Sequence, residues 1–291
     1  MNLQSVETRN SLPQAKKIDI ETLVEHRIPP SPGGLMRLSE LLKDYNASKR
    51  QIVQAISYEP ALVARILRLA NSTIYSLERE VVKVETAMTS IGNQAISDIV
   101  ALEIALTTFK NNKEQGAEEQ SIWEHSIAVA MIAKEISQTL GMRGLEEAFI
   151  CGLLHDFGKF LLLSQDESGY SEIMQIVDEN EMLRAENENY GYRHTEVGSL
   201  VARRWKLHDQ VCHSILYHHN PTHAEYPSLV EHIVEVADIF ANIKGYGIRG
   251  EEPGKIEVSE SAIKLRIDNE FLDNVWEKSK GNIEEVLNTF N

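Results

Sequence analysis

The sequence predicts an all-α protein. Apolar residues recur at three- and four-residue spacing along most of the chain, and turn signals separate one such stretch from the next. Alternation of β-branched residues is nearly absent, the one short candidate strand lying around residues 81–84.

Taken in order, residues 1–18 are polar and unpatterned and read as a flexible arm. PPSPGG at 29–34 is a stiff turn, because proline fixes φ and removes a backbone donor. The next helix places Leu35, Leu38, Leu41 and Leu42 on one face. Ser48 stands where an N-cap is needed for a helix carrying Ile52, Val53 and Ile56. Pro60 sits where a first helical turn tolerates proline, ahead of Leu62, Val63, Ile66, Leu67 and Ala70. A further helix is expected over 93–109. A polar, charged, glycine-bearing stretch then marks a linker at 111–120. It separates a first helical lobe, 19–110, from a second, 121–243. Helices are expected there over 121–140, 145–163, 169–188, 194–206, 209–218 and 227–243. A loop rich in Gly and Glu, 244–257, and helices over 259–266 and 269–290 make up a C-terminal extension, 244–291.

The chain has 291 residues, enough for one large domain or two ordinary ones. Acidic residues outnumber Lys and Arg by 44 to 29, a formal net charge of −15. That balance argues against nucleic acid and against an anionic membrane surface as partners. No basic-then-apolar leader and no apolar run of ~18 residues is present, so the expected location is cytoplasmic. Cys151 and Cys212 fall in apolar helical stretches and read as buried, reduced thiols.

Two stretches imitate nucleotide-binding motifs. GYGIRG at 245–250 has the letters of a dinucleotide fingerprint but follows a helix, and the fingerprint works only between a strand and a helix. Residues 152–159 resemble a phosphate loop, but five residues rather than four separate Gly152 from Gly158, and Phe160 stands in place of the Mg²⁺-binding hydroxyl. Both are set aside.

Nine of the ten histidines lie between positions 125 and 232, which puts the chemistry in the second half. His125 belongs to the apolar stripe Ile122, His125, Val129, Ile132, Ile136 and therefore points inward. His194 precedes Val197 and Val201 at helical spacing, and His218 and His219 follow Val211 and Ile215. Asp238 lies at or beside the apolar face of its helix. An ionised Asp is almost never fully buried unless paired, so inward imidazoles beside inward carboxylates point to a shared metal. His155 and Asp156 are adjacent and so ~100° apart on a helix; both reach one ion only near a helix end. Gly158 is read as the residue that lets the chain turn there. Lys159, three residues past Asp156, can meet a phosphate oxygen as a point charge. Imidazole with carboxylate suits Fe, Mn, Zn or Mg. His208, His213, His223 and His232 read as surface or rim residues.

The ordered set His125, His155–Asp156 in GLLHDFGK, His194 in HTEVG, His218–His219 and Asp238 in VAD resembles the HD superfamily of metal-dependent phosphohydrolases. The stretches PPSPGGLMRLSELL (29–42), YEPALVARILRLANSTIYS (58–76) and VETAMTSIGNQAISDIVALEI (84–104) are similar to the HDOD family, HD relatives with an extra N-terminal helical part. That resemblance implies an all-α fold of two helical lobes and a bacterial, cytoplasmic role in signalling or regulation. Many HDOD domains have lost their metal ligands; here the HD-type positions are filled. The chain also resembles the HD-GYP cyclic-dinucleotide phosphodiesterases at His125, His155, Asp156, Lys159, His194, His218, His219 and Asp238. It lacks their GYP signature, since Asn220, Pro221 and Thr222 follow His219.

By the HD-superfamily resemblance, His125, His155, Asp156 and Asp238 would hold a first divalent ion. His194, His218 and His219 would contribute to a second, with Asp156 bridging. Such an ion lowers the pKa of a coordinated water toward ~7. Asp156 and Lys159 would be the catalytic residues. Besides a helical interaction module that holds no metal at all, two functions remain open at this point. One is a regulatory HDOD protein with one or two ions and a signalling protein partner. The other is a phosphohydrolase or phosphodiesterase acting on a phosphoester such as a nucleotide or cyclic dinucleotide.

Overall fold

The computed structural model of the protein describes residues 38, 41–42, 44, 46–57, 62–63, 66–67, 70, 81, 83–110, 116–142, 145–204, 209–225, 228–247 and 259–290. Among them there is no strand, and the fold is all-α. The arm, the PPSPGG turn and the first half of the linker, 111–115, lie outside the described residues.

In the first lobe, α1 (Lys49–Ser57) starts where the cap signal places it. The Ser48 Oγ accepts from the Gln51 amide at 3.3 Å, and the Gln51 side chain accepts from the Ser48 amide at 2.9 Å, a reciprocal cap that satisfies two orphan donors. Ile52 and Ile56 are its buried face. Helix α2 (Val84–Lys110) begins two turns before the expected start, kinked at Gly92 with φ 83°. The candidate strand at 81–84 is therefore wrong: Val81 is in no element and Val84 opens a helix.

Helix α3 (Ala117–Thr139) is the axis of the second lobe. It starts inside the stretch expected to be linker, because Gly116 donates its amide to Glu119 Oε2 at 3.1 Å and so fixes the first turn. Residues 125–133 are all buried, so the helix is enclosed rather than amphipathic. Helices α4 (Leu145–Leu154), α10 (Leu229–Ala241) and α12 (Asn269–Phe290) pack around it. The single helix expected over 145–163 is broken at His155–Asp156, and α5 (Phe157–Gln165) follows. Likewise the helix expected over 169–188 is two, α6 (Glu167–Met174) and α7 (Glu179–Tyr190), because the Asp178 side chain accepts from the Glu181 amide and starts a new helix. Then come α8 (His194–Arg204), α9 (Asp209–Tyr217) and a 3₁₀ turn (Pro221–His223). Helix α10 runs into a π-helical turn (Asn242–Tyr246), and α11 (Glu260–Leu265) precedes α12.

Gly158 does not turn the chain. It lies inside α5, and a Cβ there would sit 1.8 Å from the carbonyl oxygen of His194 and 3.0 Å from the amide of Gly198. The glycine lets α5 touch the backbone of α8, which brings Asp156 and His194 together. Gly152 does the same between α4 and α3, where a Cβ would meet Ala130 Cα at 2.9 Å. Cys151 and Cys212 are buried and form no disulfide. No described helix is long and apolar enough to cross a membrane.

Candidate metal centre

Three helices, the break between α4 and α5 and the end of α9 converge on one buried point. Helix α3 brings His125; the break between α4 and α5 brings His155 and Asp156; α8 opens with His194; the end of α9 brings His218 and His219; α10 brings Asp238. Asp156 and His155 both face the site because both stand in the break between α4, which ends at Leu154, and α5, which starts at Phe157. His155, Asp156, His194 and His218 are fully buried, and His125 and Asp238 nearly so.

The donor atoms form two groups. His125, His155 and Asp238 make one; Asp156, His194, His218 and His219 make the other. In the first, His125 Nε2 lies 3.1 Å from Asp238 Oδ1 and 3.3 Å from His155 Nε2. Asp156 stands between the groups. Its Oδ2 is 3.3 Å from His155 Nε2 and 3.7 Å from His125 Nε2, while its Oδ1 is 3.3 Å from His194 Nε2 and 3.5 Å from His218 Nε2. Lys159, on the next turn of α5, donates to Asp156 Oδ2 at 2.6 Å and is itself buried.

The ring orientations are fixed from behind. Nδ1 of His125, His155 and His218 donates to the carbonyls of Tyr246, Gly152 and Ile215 at 2.8, 2.7 and 2.9 Å. A carbonyl only accepts, so each Nδ1 carries a proton and each ring turns its Nε2 inward. His194 differs: its Nδ1 faces both oxygens of buried Glu186 at 2.9 Å, Glu186 also accepts from the His194 amide, and the Tyr170 hydroxyl donates to it at 2.7 Å. His219 Nδ1 meets Glu179 Oε1 at 2.7 Å, and that carboxylate is about half exposed.

These residues fit a divalent cation. Nε2 of His125 and His155, and again of His194 and His219, face each other at 3.3 and 3.1 Å, an arrangement satisfied by a proton on one ring or by a cation between them. Asp156 Oδ1 and His218 Nε2 are buried and make no hydrogen bond, although both are aimed into the site. An unsatisfied carboxylate oxygen and an unsatisfied imidazole nitrogen 3.5 Å apart are matched by a cation.

The electrostatics agree. Burial and the imidazole of His219 push His218 down to about 3, and burial with His194 alongside pushes His219 down to about 3. Both rings stay neutral, the form that ligates. Burial alone would raise Asp156, but His155 and the Lys159 ammonium hold it well below the usual carboxylate range. Asp238 is likewise held low by the hydrogen bond and charge of His125, against the cost of its burial. Burial would lower His155 and His194, but Asp156 and Glu186 respectively raise them.

All seven residues singled out as ligands, and Lys159, are brought together. Among the weaker histidines, His213 is partly exposed and His223 exposed, and His208 lies outside the described residues. His232 is not a surface residue: it is fully buried, with Ser261 on Nδ1 at 2.6 Å and Lys264 on Nε2 at 2.7 Å. Its neighbours in sequence hid this, since the partners come from α11. Glu186 and Glu179 were missed. Glu186 carried a signal, for it shares the buried face of α7 with Met182, Leu183 and Tyr190 and is a carboxylate on an apolar stripe.

Comparison with known proteins places this geometry in context. A family model for the HDOD domain matches residues 28–221. An uncharacterized protein of Treponema pallidum (strain Nichols) is 25% identical over 233 residues, which are 78% of this chain but 44% of that protein. The chain thus spans under half the length of this curated relative. Among solved structures, an HDOD domain protein of unknown function from Geobacter sulfurreducens is 25% identical, with a TM-score of 0.70 over 91% of this chain and 96% of that one. A suggested phosphohydrolase from Shewanella amazonensis SB2B shares the fold at 23% identity, with a TM-score of 0.69 over 90% and 96% of the two chains.

Proposed function

The chain belongs to the HDOD domain family, and on that premise we propose that it is a regulatory signalling protein whose second lobe holds a divalent-metal centre of one or two ions. The observation that carries this reading is the pair of orphan atoms, Asp156 Oδ1 and His218 Nε2, buried and aimed at one point among Nε2 atoms. His125, His155 and Asp238 would hold one ion; His194, His218 and His219 would hold the other; Asp156 would bridge. Fe, Mn, Zn and Mg all suit this donor set. The output is contact with a signalling partner or capture of a phosphoester ligand. Mn²⁺ added to chelator-stripped protein should raise the melting temperature, since a ligand that binds only the folded state stabilises it. Asp156→Ala should abolish the rise. No rise with any of the four metals would sink the proposal.

One observation favours a second reading, a metal-dependent phosphohydrolase. The two oxygens of Asp156 are divided between the two groups, as a bridging carboxylate requires, and Lys159 stands beside them. When bound, a pair of divalent ions supplies Lewis acidity and activates water at neutral pH. Of the chain's own groups, Glu186 and the three backbone carbonyls fix the ring directions, and Lys159 offers an ammonium to phosphate charge. Turnover of generic phosphoesters or cyclic dinucleotides by metal-loaded protein, lost in Asp156→Ala, would establish this reading. No turnover with any of the metals would remove it and leave the first standing.

A further inference from the structure

Resting on the metal-centre reading, we propose that the C-terminal extension is the positioning element of the first ligand group: Trp276 of α12 clamps the π-helical turn Asn242–Tyr246, and that turn holds His125 and Asp238 in place. The extension lies beyond the residues that the family model matches.

The ligand rings differ in what holds them. His155 and His218 donate to carbonyls three residues earlier, Gly152 and Ile215, so each is oriented by its own helix. His125 has no such local partner. Its Nδ1 donates to the carbonyl of Tyr246, 121 residues further along the chain. The same turn supplies Asn242, whose side chain donates to Asp238 Oδ1 at 3.1 Å, the oxygen that faces His125. One five-residue turn therefore touches two of the three members of the first group.

That turn is not self-supporting. It is π-helical, a geometry rare except as single turns and frequent at functional sites, and it is closed by Gly245 at φ 89°, a left-handed conformation that suits glycine. Its side chains lean on α12. The Tyr246 ring packs against Trp276 at 6.2 Å, and the Trp276 ring also meets Phe240 edge-on at 6.4 Å. The Lys244 ammonium lies 5.0 Å from the Phe240 ring and 5.4 Å from Trp276, within cation–π range, and 3.5 Å from Asp273. Helix α12 is itself seated on α3, the helix that carries His125, with Lys278 3.3 Å from Glu135. The chain from Trp276 to Tyr246 to His125 fixes which ring nitrogen carries the proton and where the other points. Partners of this kind are worth about 10–100-fold in metal affinity.

The test uses Co²⁺ titrated into the full chain after chelation, followed by visible absorption and by bound ions per chain. His125→Ala marks which part of the signal belongs to the first group. Trp276→Ala and Asn242→Ala should each weaken the first-group ion about 10–100-fold and leave the second as in wild type. Trp276→Phe and Tyr246→Phe should bind like wild type, because they keep a ring and the backbone carbonyl. Should Trp276→Ala not fold, Trp276→Leu, which keeps an apolar side chain but removes the ring that Tyr246 packs against, decides the matter. Unchanged Co²⁺ affinity in both variants, or equal weakening of both ions, overturns the role of the extension while the metal centre stands. Wild-type protein that binds no Co²⁺ overturns the metal centre itself, and this role with it.

Discussion

The two ligand groups share Asp156 but are held by different physics. In the first, His125 and His155 are turned inward by neutral backbone carbonyls, one of them borrowed from a turn 121 residues away. In the second, His218 also leans on a carbonyl, but His194 is backed by the buried carboxylate of Glu186, and His219 by the half-exposed Glu179. A carbonyl fixes direction alone; a carboxylate also adds charge and makes the imidazole a stronger donor. The first group therefore depends on how well the turn is clamped, and the second on whether its carboxylate stays ionised.

The largest effect should come from Asp156→Ala, which removes the residue both groups use. It should abolish metal binding at both and, without metal, destabilise the fold by about 3–5 kcal/mol, since Lys159 and the imidazoles lose the charge that compensates them. Urea unfolding checks this. Gly158→Ala drives a methyl into the His194 carbonyl, a backbone atom that cannot swing away. A cost at or above ~1–3 kcal/mol is expected, with metal binding weakened at the second group first. Glu186→Gln keeps the shape but removes the charge, and should weaken the second ion about 10–100-fold while sparing the first. Calorimetric titration separates the two.

The pH dependence of metal-free protein also divides. The folded values of His218 and His219, about 3, lie below their ordinary 6.5, so the unfolded chain takes up protons that the folded one refuses. Stability then falls as pH drops below 6.5. His155 and His194 are raised, so their contribution is complete below 6.5 and is lost as pH rises through their folded values. These four histidines alone would make metal-free protein most stable near pH 6.5, and Glu186→Gln should flatten the alkaline side; denaturation midpoints at three pH values suffice. The smallest effect belongs to Lys278→Ala, which breaks a half-exposed pair on α12. It should change stability by about 1 kcal/mol or less and metal binding not at all.

Much of the site could be read from the sequence because its ligands break a local rule. His125 and Asp238 are polar residues on apolar stripes, and burial of that kind needs a partner. Glu186 obeys the same rule on α7, but its helix is so polar that the stripe of Met182, Leu183 and Tyr190 was easily overlooked. What supports the ligands was less legible. The Tyr246 carbonyl is a backbone atom with no letter of its own, and its link to His125 spans the second lobe. Gly158 looked like a turn because local pattern cannot show that the backbone of α8 lies against it. His232 looked exposed for the same reason, since its partners come from α11. Breaks such as His155–Asp156 were anticipated only as a condition for both side chains to reach one ion.

The measurement that bears most directly on the account is elemental analysis of protein purified without chelators, beside Asp156→Ala prepared in the same way. One or two divalent ions per chain are expected in the first and essentially none in the second. Wild-type protein with metal content near zero, unchanged after reloading with Fe, Mn, Zn or Mg, would contradict it.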